Sequence, residues 1–141
     1  MVEIALIIGG SRGIGRAIAL SLAKSRFDIW LTYKSNHEAA KKVKSEIEDV
    51  GRSCDLISFD VSDYKQTESA LAQKVEKPAP DVVGYNSGIT RDTLLRWMRK
   101  AEWDSVLSTN LDGFYNVTHV VLFPMLKAKS GRIVVVSSIS G

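Results

Sequence analysis

The chain has 141 residues, 45% hydrophobic and 25% charged, with a formal net charge of +3. That suits one soluble globular domain with a core of useful size. The charge is too mild, and its cations too scattered, for a nucleic-acid binder, and one cysteine, Cys54, excludes an intrachain disulfide and agrees with a reducing compartment.

Apolar strand-like runs alternate with helix-period segments along the chain. Ile4–Ile8 predicts a first strand, and Gly13–Ser25 a first helix with Ile14, Ala17, Ile18, Ser21 and Leu22 on its apolar face. Asp28–Tyr33 predicts strand two. Asn36–Val50 predicts helix two, with Ala39, Ala40, Val43, Ile47 and Val50 at helical spacing and Lys41, Lys42, Lys44, Glu46 and Glu48 as a solvated face. Gly51 reads as its stop. Ser53–Phe59 is strand three, and it places Cys54 as a small buried residue. Ser62 or Asp63 caps a third helix running to about Val75, which Pro78 and Pro80 end. Val82–Tyr85 is strand four, and Thr90–Arg99 is irregular or a short helix. Ala101–Lys127 is a long helix, bent or interrupted near Gly113 or Pro124, and Arg132–Ser137 is strand five.

Strands alternating with helices predict an α/β fold, a Rossmann-type doubly wound parallel sheet of strand order 3-2-1-4-5. Ligands of such sheets sit beyond the carboxyl ends of the strands. There the sequence collects its glycines and polar residues: Gly9–Gly15, Tyr33–Ser35, Asp60–Val61, Asn86–Gly88 and Ser137–Ser138. The glycines of the first group, Gly9, Gly13 and Gly15, follow a Gly-x3-Gly-x-Gly spacing between strand and helix. A glycine turn leading into a helix N-terminus offers free N–H groups and a positive dipole end to an anion, here the pyrophosphate of a dinucleotide. Ser11, Arg12 and Ile14 complete this loop.

The end of strand two reads Thr32-Tyr33-Lys34-Ser35, with no acid to hold a ribose 2′-hydroxyl. Lys34, Ser35 and the loop's Arg12 favour a 2′-phosphate instead, so the expected cofactor is NADP(H). His37 and His119 stand far apart without metal-ligand spacing, and no metal is expected. No apolar run reaches membrane-spanning length and no leader-like segment precedes strand one, which predicts a cytoplasmic protein without membrane or nucleic-acid partners.

These residues resemble the short-chain dehydrogenase/reductase family, most closely its 3-oxoacyl-[acyl-carrier-protein] reductases of fatty acid synthesis. GGSRGIG resembles the family's cofactor loop, and Asp60-Val61 the pair that contacts the adenine. NSGITRDTLL from Asn86 resembles its NAGITRDxLL segment, which brings Ser87 and Gly88 into the cofactor site. AEWDSVLSTNLDGFYNVT resembles the segment of the catalytic asparagine, on Asn110, and GRIVVVSSISG the strand of the catalytic serine, on Ser138. The resemblance implies reduction of an acyl-carrier-protein-linked 3-oxoacyl thioester or another ketone. Ser138 would then polarise the carbonyl, Asn110 would order a relay water, and the protein would be a homo-tetramer with the Asn110 helix in its interface.

The chain departs from the family pattern at three positions. Ile8 replaces a threonine whose hydroxyl braces the loop, Tyr85 replaces the first asparagine of Asn-Asn-Ala-Gly, and Ser87 replaces its alanine. The family's Tyr-x-x-x-Lys, which supplies the acid, would follow beyond Gly141. Residues 1–141 therefore read as a C-terminally incomplete NADP-binding domain, expected to be inactive alone. The alternatives are a short-chain reductase of polyketide, sugar or steroid ketones, and a non-catalytic NADP(H)-binding protein ending at Gly141. Lys127, Lys129 and Arg132 form a basic group before strand five, suited to an acidic carrier or to the helix dipole. Trp97, Met98 and Trp103 suit an acyl channel or packing equally.

Overall fold

A computed structural model describes residues 2–86 and 97–136, with the backbone alone at positions 108 and 109. Its strands are β1 (Glu3–Ile8), β2 (Phe27–Tyr33), β3 (Cys54–Ser58), β4 (Val82–Tyr85) and β5 (Arg132–Val135). Between them lie α1 (Gly13–Lys24), α2 (His37–Asp49), α3 (Tyr64–Glu76), α4 (Lys100–Leu107) and α5 (Gly113–Ala128). A π-helical turn, Ser108–Asp112, joins α4 to α5.

The strands form one parallel sheet in the order β3-β2-β1-β4-β5, as the alternation predicted. The register pairs Ile7 of β1 with Leu31 of β2 and with Gly84 of β4, so the central strand is covered on both edges. Both of its faces are covered too. Leu6 and Ile8 point into a layer with Trp30, Phe59, Val83, Tyr85 and the α3 and α5 residues Leu71, Val75, Val117 and Val121. Ala5 and Ile7 point into the other layer, with Leu31, Tyr33 and the α1 and α2 residues Ala19, Ala23, Ala40, Val43 and Ile47. A strand buried on both faces must read as a continuous apolar run, and Ile4–Ile8 does. Each fully buried Leu or Ile contributes about 1.5–3 kcal/mol through removal from water.

Sequence expectations change in two helices, α1 and α2. The buried side of α1 is Gly15, Ala19 and Ala23, flanked by the half-buried Ile18 and Leu22. Ile14 is 59% exposed, and Ala17 and Ser21 also face out. Small residues let α1 approach the sheet closely, so bulk marks the wrong side of this helix. In α2, Val50 lies past the helix end and is exposed. Glu46 leaves the solvated face and forms a two-pronged ion pair with Arg16 of α1, Nε donating at 3.1 Å. That pair lowers the carboxyl below its ordinary range and raises the guanidinium. The expected long helix is divided by the π turn just before Gly113, whereas Pro124 sits inside α5 without ending it.

Candidate cofactor site

The carboxyl ends of β1 to β4 lie side by side, and the loops leaving them form one crevice. The β1–α1 loop is fixed first. Gly9 N donates to Thr32 Oγ1 at 3.2 Å, and Gly10 N to the Thr32 carbonyl at 3.1 Å. Thr32, almost wholly buried in β2, thus braces the loop with side chain and backbone together. The hydroxyl missing at Ile8 is supplied from the neighbouring strand, while Ile8 itself fills the core.

The far side of the loop depends on Gly15. A methyl group there would collide with the Gly9 carbonyl oxygen and lie 2.9 Å from Asn86 Nδ2. Backbone cannot yield as a side chain can, so only glycine fits. The contact also brings Gly9, Gly15 and Asn86 to one point, as the crevice rule predicted. Asn86 is held there by its N–H, which donates to the Ile8 carbonyl at 3.0 Å.

The N-terminus of α1 carries no side-chain cap and no acid in its first turn. Arg12, exposed and extended, occupies the cap position. The helices that follow β2 and β3 are capped: Asn36 Oδ1 accepts from Ala39 N at 3.1 Å, and Asp63 Oδ1 from Gln66 N at 3.1 Å. Among the described residues no side chain caps α1, and its first N–H groups and positive dipole end suit an anion. Ser11 is half-buried, and Gly13 and Ile14 are exposed on the same loop.

At the end of β2, the Tyr33 ring belongs to the core layer and its hydroxyl meets His37 Nδ1. Lys34 and Ser35 are exposed beyond it. Lys34 Nζ stands 3.5 Å from Asp60 Oδ2, which links the ends of β2 and β3. Asp60 Oδ1 accepts from Ser62 N at 3.0 Å and Ser62 Oγ at 2.7 Å. Partial burial opposes its charge, but these hydrogen bonds and the Lys34 ammonium outweigh it and hold the carboxyl below its ordinary range. Val61 is buried, and its carbonyl accepts from Asn116 Nδ2 of α5 at 2.8 Å. Asn116 escaped the sequence reading, because a polar residue inside a helix pattern carries no sign of its distant partner.

Asn110 is half-buried within the π turn. Ser87, Gly88 and Ser138 lie outside the described residues, as does most of Thr90–Arg99. Trp97 and Trp103 are 66% and 41% exposed. Tyr85 is no candidate acid, since it is buried and its phenol is pushed up by burial alone. Burial likewise pushes the Cys54 thiol up to about 12, leaving it an unreactive core residue. Among the described residues no cluster of His, Cys, Asp or Glu is placed to hold a metal, and no helix is long and apolar enough to cross a membrane.

A parallel 3-2-1-4-5 sheet with this glycine loop is a nucleotide-binding arrangement, and the family model described as short chain dehydrogenase matches residues 3–141. The chain belongs to the short-chain dehydrogenase family. A family relative named 3-oxoacyl-[acyl-carrier-protein] reductase, from Aggregatibacter actinomycetemcomitans, is 43% identical over all of this chain and 59% of its own. One of the same name from Chlamydia muridarum is 42% identical over 97% of this chain and 56% of its own. An acetoacetyl-CoA reductase from Shinella zoogloeoides is 37% identical over all of this chain and 57% of its own. The chain thus spans somewhat over half the length of these relatives.

Proposed function

We propose that this chain is the NADP(H)-binding part of a cytoplasmic reductase that converts an acyl-carrier-protein-linked 3-oxoacyl thioester to its 3-hydroxyacyl form. The relatives' names support the reaction class. One observation carries the cofactor reading: the uncapped α1 N-terminus shares its crevice with a β2 end that presents Lys34 and no acid. When bound, the nicotinamide supplies the hydride. The chain's own groups orient it. The α1 amides take the pyrophosphate, Arg12, Lys34 and Ser35 the 2′-phosphate, and Asp60-Val61 the adenine, with Ser87 and Gly88 beside Asn86 at the nicotinamide end. In this reading Ser138 hydrogen-bonds the ketone oxygen and Asn110 orders a water that relays the proton.

Lys34 would have to leave Asp60 to meet a phosphate, and the doubly charged phosphate is the stronger partner. A charge-assisted bond of about 1.5–3 kcal/mol corresponds to roughly tenfold or more in affinity. Fluorescence titration of the full-length protein tests this. NADPH should bind at least roughly tenfold tighter than NADH, and Lys34→Glu should erase most of that preference while leaving NADH within about twofold. Tighter binding of NADH by the unaltered protein overturns the cofactor reading.

We also propose a homo-oligomer, supported by the outer face of α5 and the turn before it. Leu111, Tyr115, Leu122 and Leu126 are 63%, 60%, 42% and 63% exposed, and they recur at spacings of four and seven, one side of the helix.

A further inference from the structure

We infer that Tyr85 is a positioning residue for Asn110: its hydroxyl, packed against Gly113, fixes where the π turn ends and α5 begins. The inference rests on the reading of Asn110 given above. The π turn Ser108–Asp112 stops directly at Gly113, a buried glycine. A methyl group at Gly113 would collide with Tyr85 Oη and come within 2.9 Å of Val61 Cγ2. The hydroxyl therefore occupies the space a side chain at Gly113 would need. The next residue of α5, Phe114, meets the Tyr85 ring edge to face at 5.6 Å. Both contacts fall on the first turn of α5, beside the Asn116 bond to Val61.

A π turn holds one residue more than α-helical geometry and is rare outside single turns within a helix, so a contact at its end bears on where it sits. Here Tyr85 supplies that contact from the sheet. Tyr85 and Asn86 are successive residues on opposite faces at the end of β4. Tyr85 reaches Gly113, the residue directly after the π turn, and Asn86 reaches Gly15 in the cofactor loop. The end of β4 thus ties Asn110 to the pyrophosphate loop through two adjacent side chains. An asparagine at position 85 is too short to reach Gly113 as this tyrosine does.

Two variants of the full-length protein test the inference. Tyr85→Phe should speed amide hydrogen exchange across 108–112 at least roughly tenfold while β1 amides keep their protection, and should lower kcat with KM for NADPH within about twofold. Gly113→Ala should lower the thermal midpoint, and Tyr85→Phe added to it should recover part of the loss, because the oxygen in the way has gone. If Gly113→Ala alone does not fold, recovery of a folded double variant gives the same result. Unchanged exchange at 108–112 in Tyr85→Phe, or equal acceleration there and in β1, overturns the inference. If the unaltered protein reduces no ketone, the proposed reaction fails, and the exchange measurement still decides whether Tyr85 holds the turn.

Discussion

Asp60 shows how one residue can brace the fold at the edge of the candidate site. Its carboxylate gathers Ser62 and Lys34 at the end of β3, and its folded-state pKa is lowered. The sign follows from linkage. A depressed carboxyl contributes stability that is complete above its unfolded value of about 3.9 and is lost as pH falls through the folded value. The stability gap between the unaltered protein and Asp60→Asn should be flat above about pH 5 and close as pH drops below about 4. Urea unfolding between pH 3 and 7 measures it. A gap independent of pH would mean that the Ser62 and Lys34 contacts do not favour the ionised form. Thr32 makes the complementary point. From sequence it is one polar residue in an apolar strand, 23 positions from the glycine it braces. Only the β1–β2 register brings its hydroxyl to Gly9, so a close match to the glycine motif could not reveal it.

Among the elements, the five strands and their order were legible because a doubly covered parallel sheet demands long apolar runs, and these runs have few competing readings. Helix faces were less legible. Size and hydrophobicity drew the apolar face of α1 toward Ile14, but contact with the sheet selects Gly15, Ala19 and Ala23 for their smallness. The break expected near Gly113 or Pro124 falls at Gly113. At Gly113, Tyr85 and Val61 leave no room for a side chain. The same end of α5 yields a test of how elements are joined. Asn116 is buried and donates to the Val61 carbonyl at 2.8 Å. Asn116→Leu keeps the branched shape of the side chain and leaves that buried acceptor without its donor, a loss of about 1–3 kcal/mol. Thermal unfolding should show a midpoint lower by several degrees, and NADPH should bind more weakly because Asp60-Val61 is no longer anchored. An unchanged midpoint would mean that the α3 contacts alone hold the two elements together.

For the whole molecule, the distribution of charge separates the surfaces. α2 carries seven charged side chains in thirteen residues, whereas across the sixteen residues of α5 the single formally charged side chain is Lys127. A helix whose outer face meets only water gains nothing from exposed Leu and Phe, and the proposed homo-oligomer would cover this face. Phe123 and Leu126, 67% and 63% exposed, lie at the far end of the α5 stripe from Leu111. They are distant along the helix from the cofactor loop, so replacing them separates assembly from binding. Light scattering on the full-length protein should give a mass that is a multiple of one chain. Leu126→Glu and Phe123→Glu should each reduce it, because two copies of a buried carboxylate in a symmetric contact have no partner. Circular dichroism and NADPH affinity should stay within error, since neither side chain supports the core or the crevice. A monomeric unaltered protein, or variants that assemble as before, would remove α5 as a self-association surface and leave its apolar face to contact with another part of the same protein.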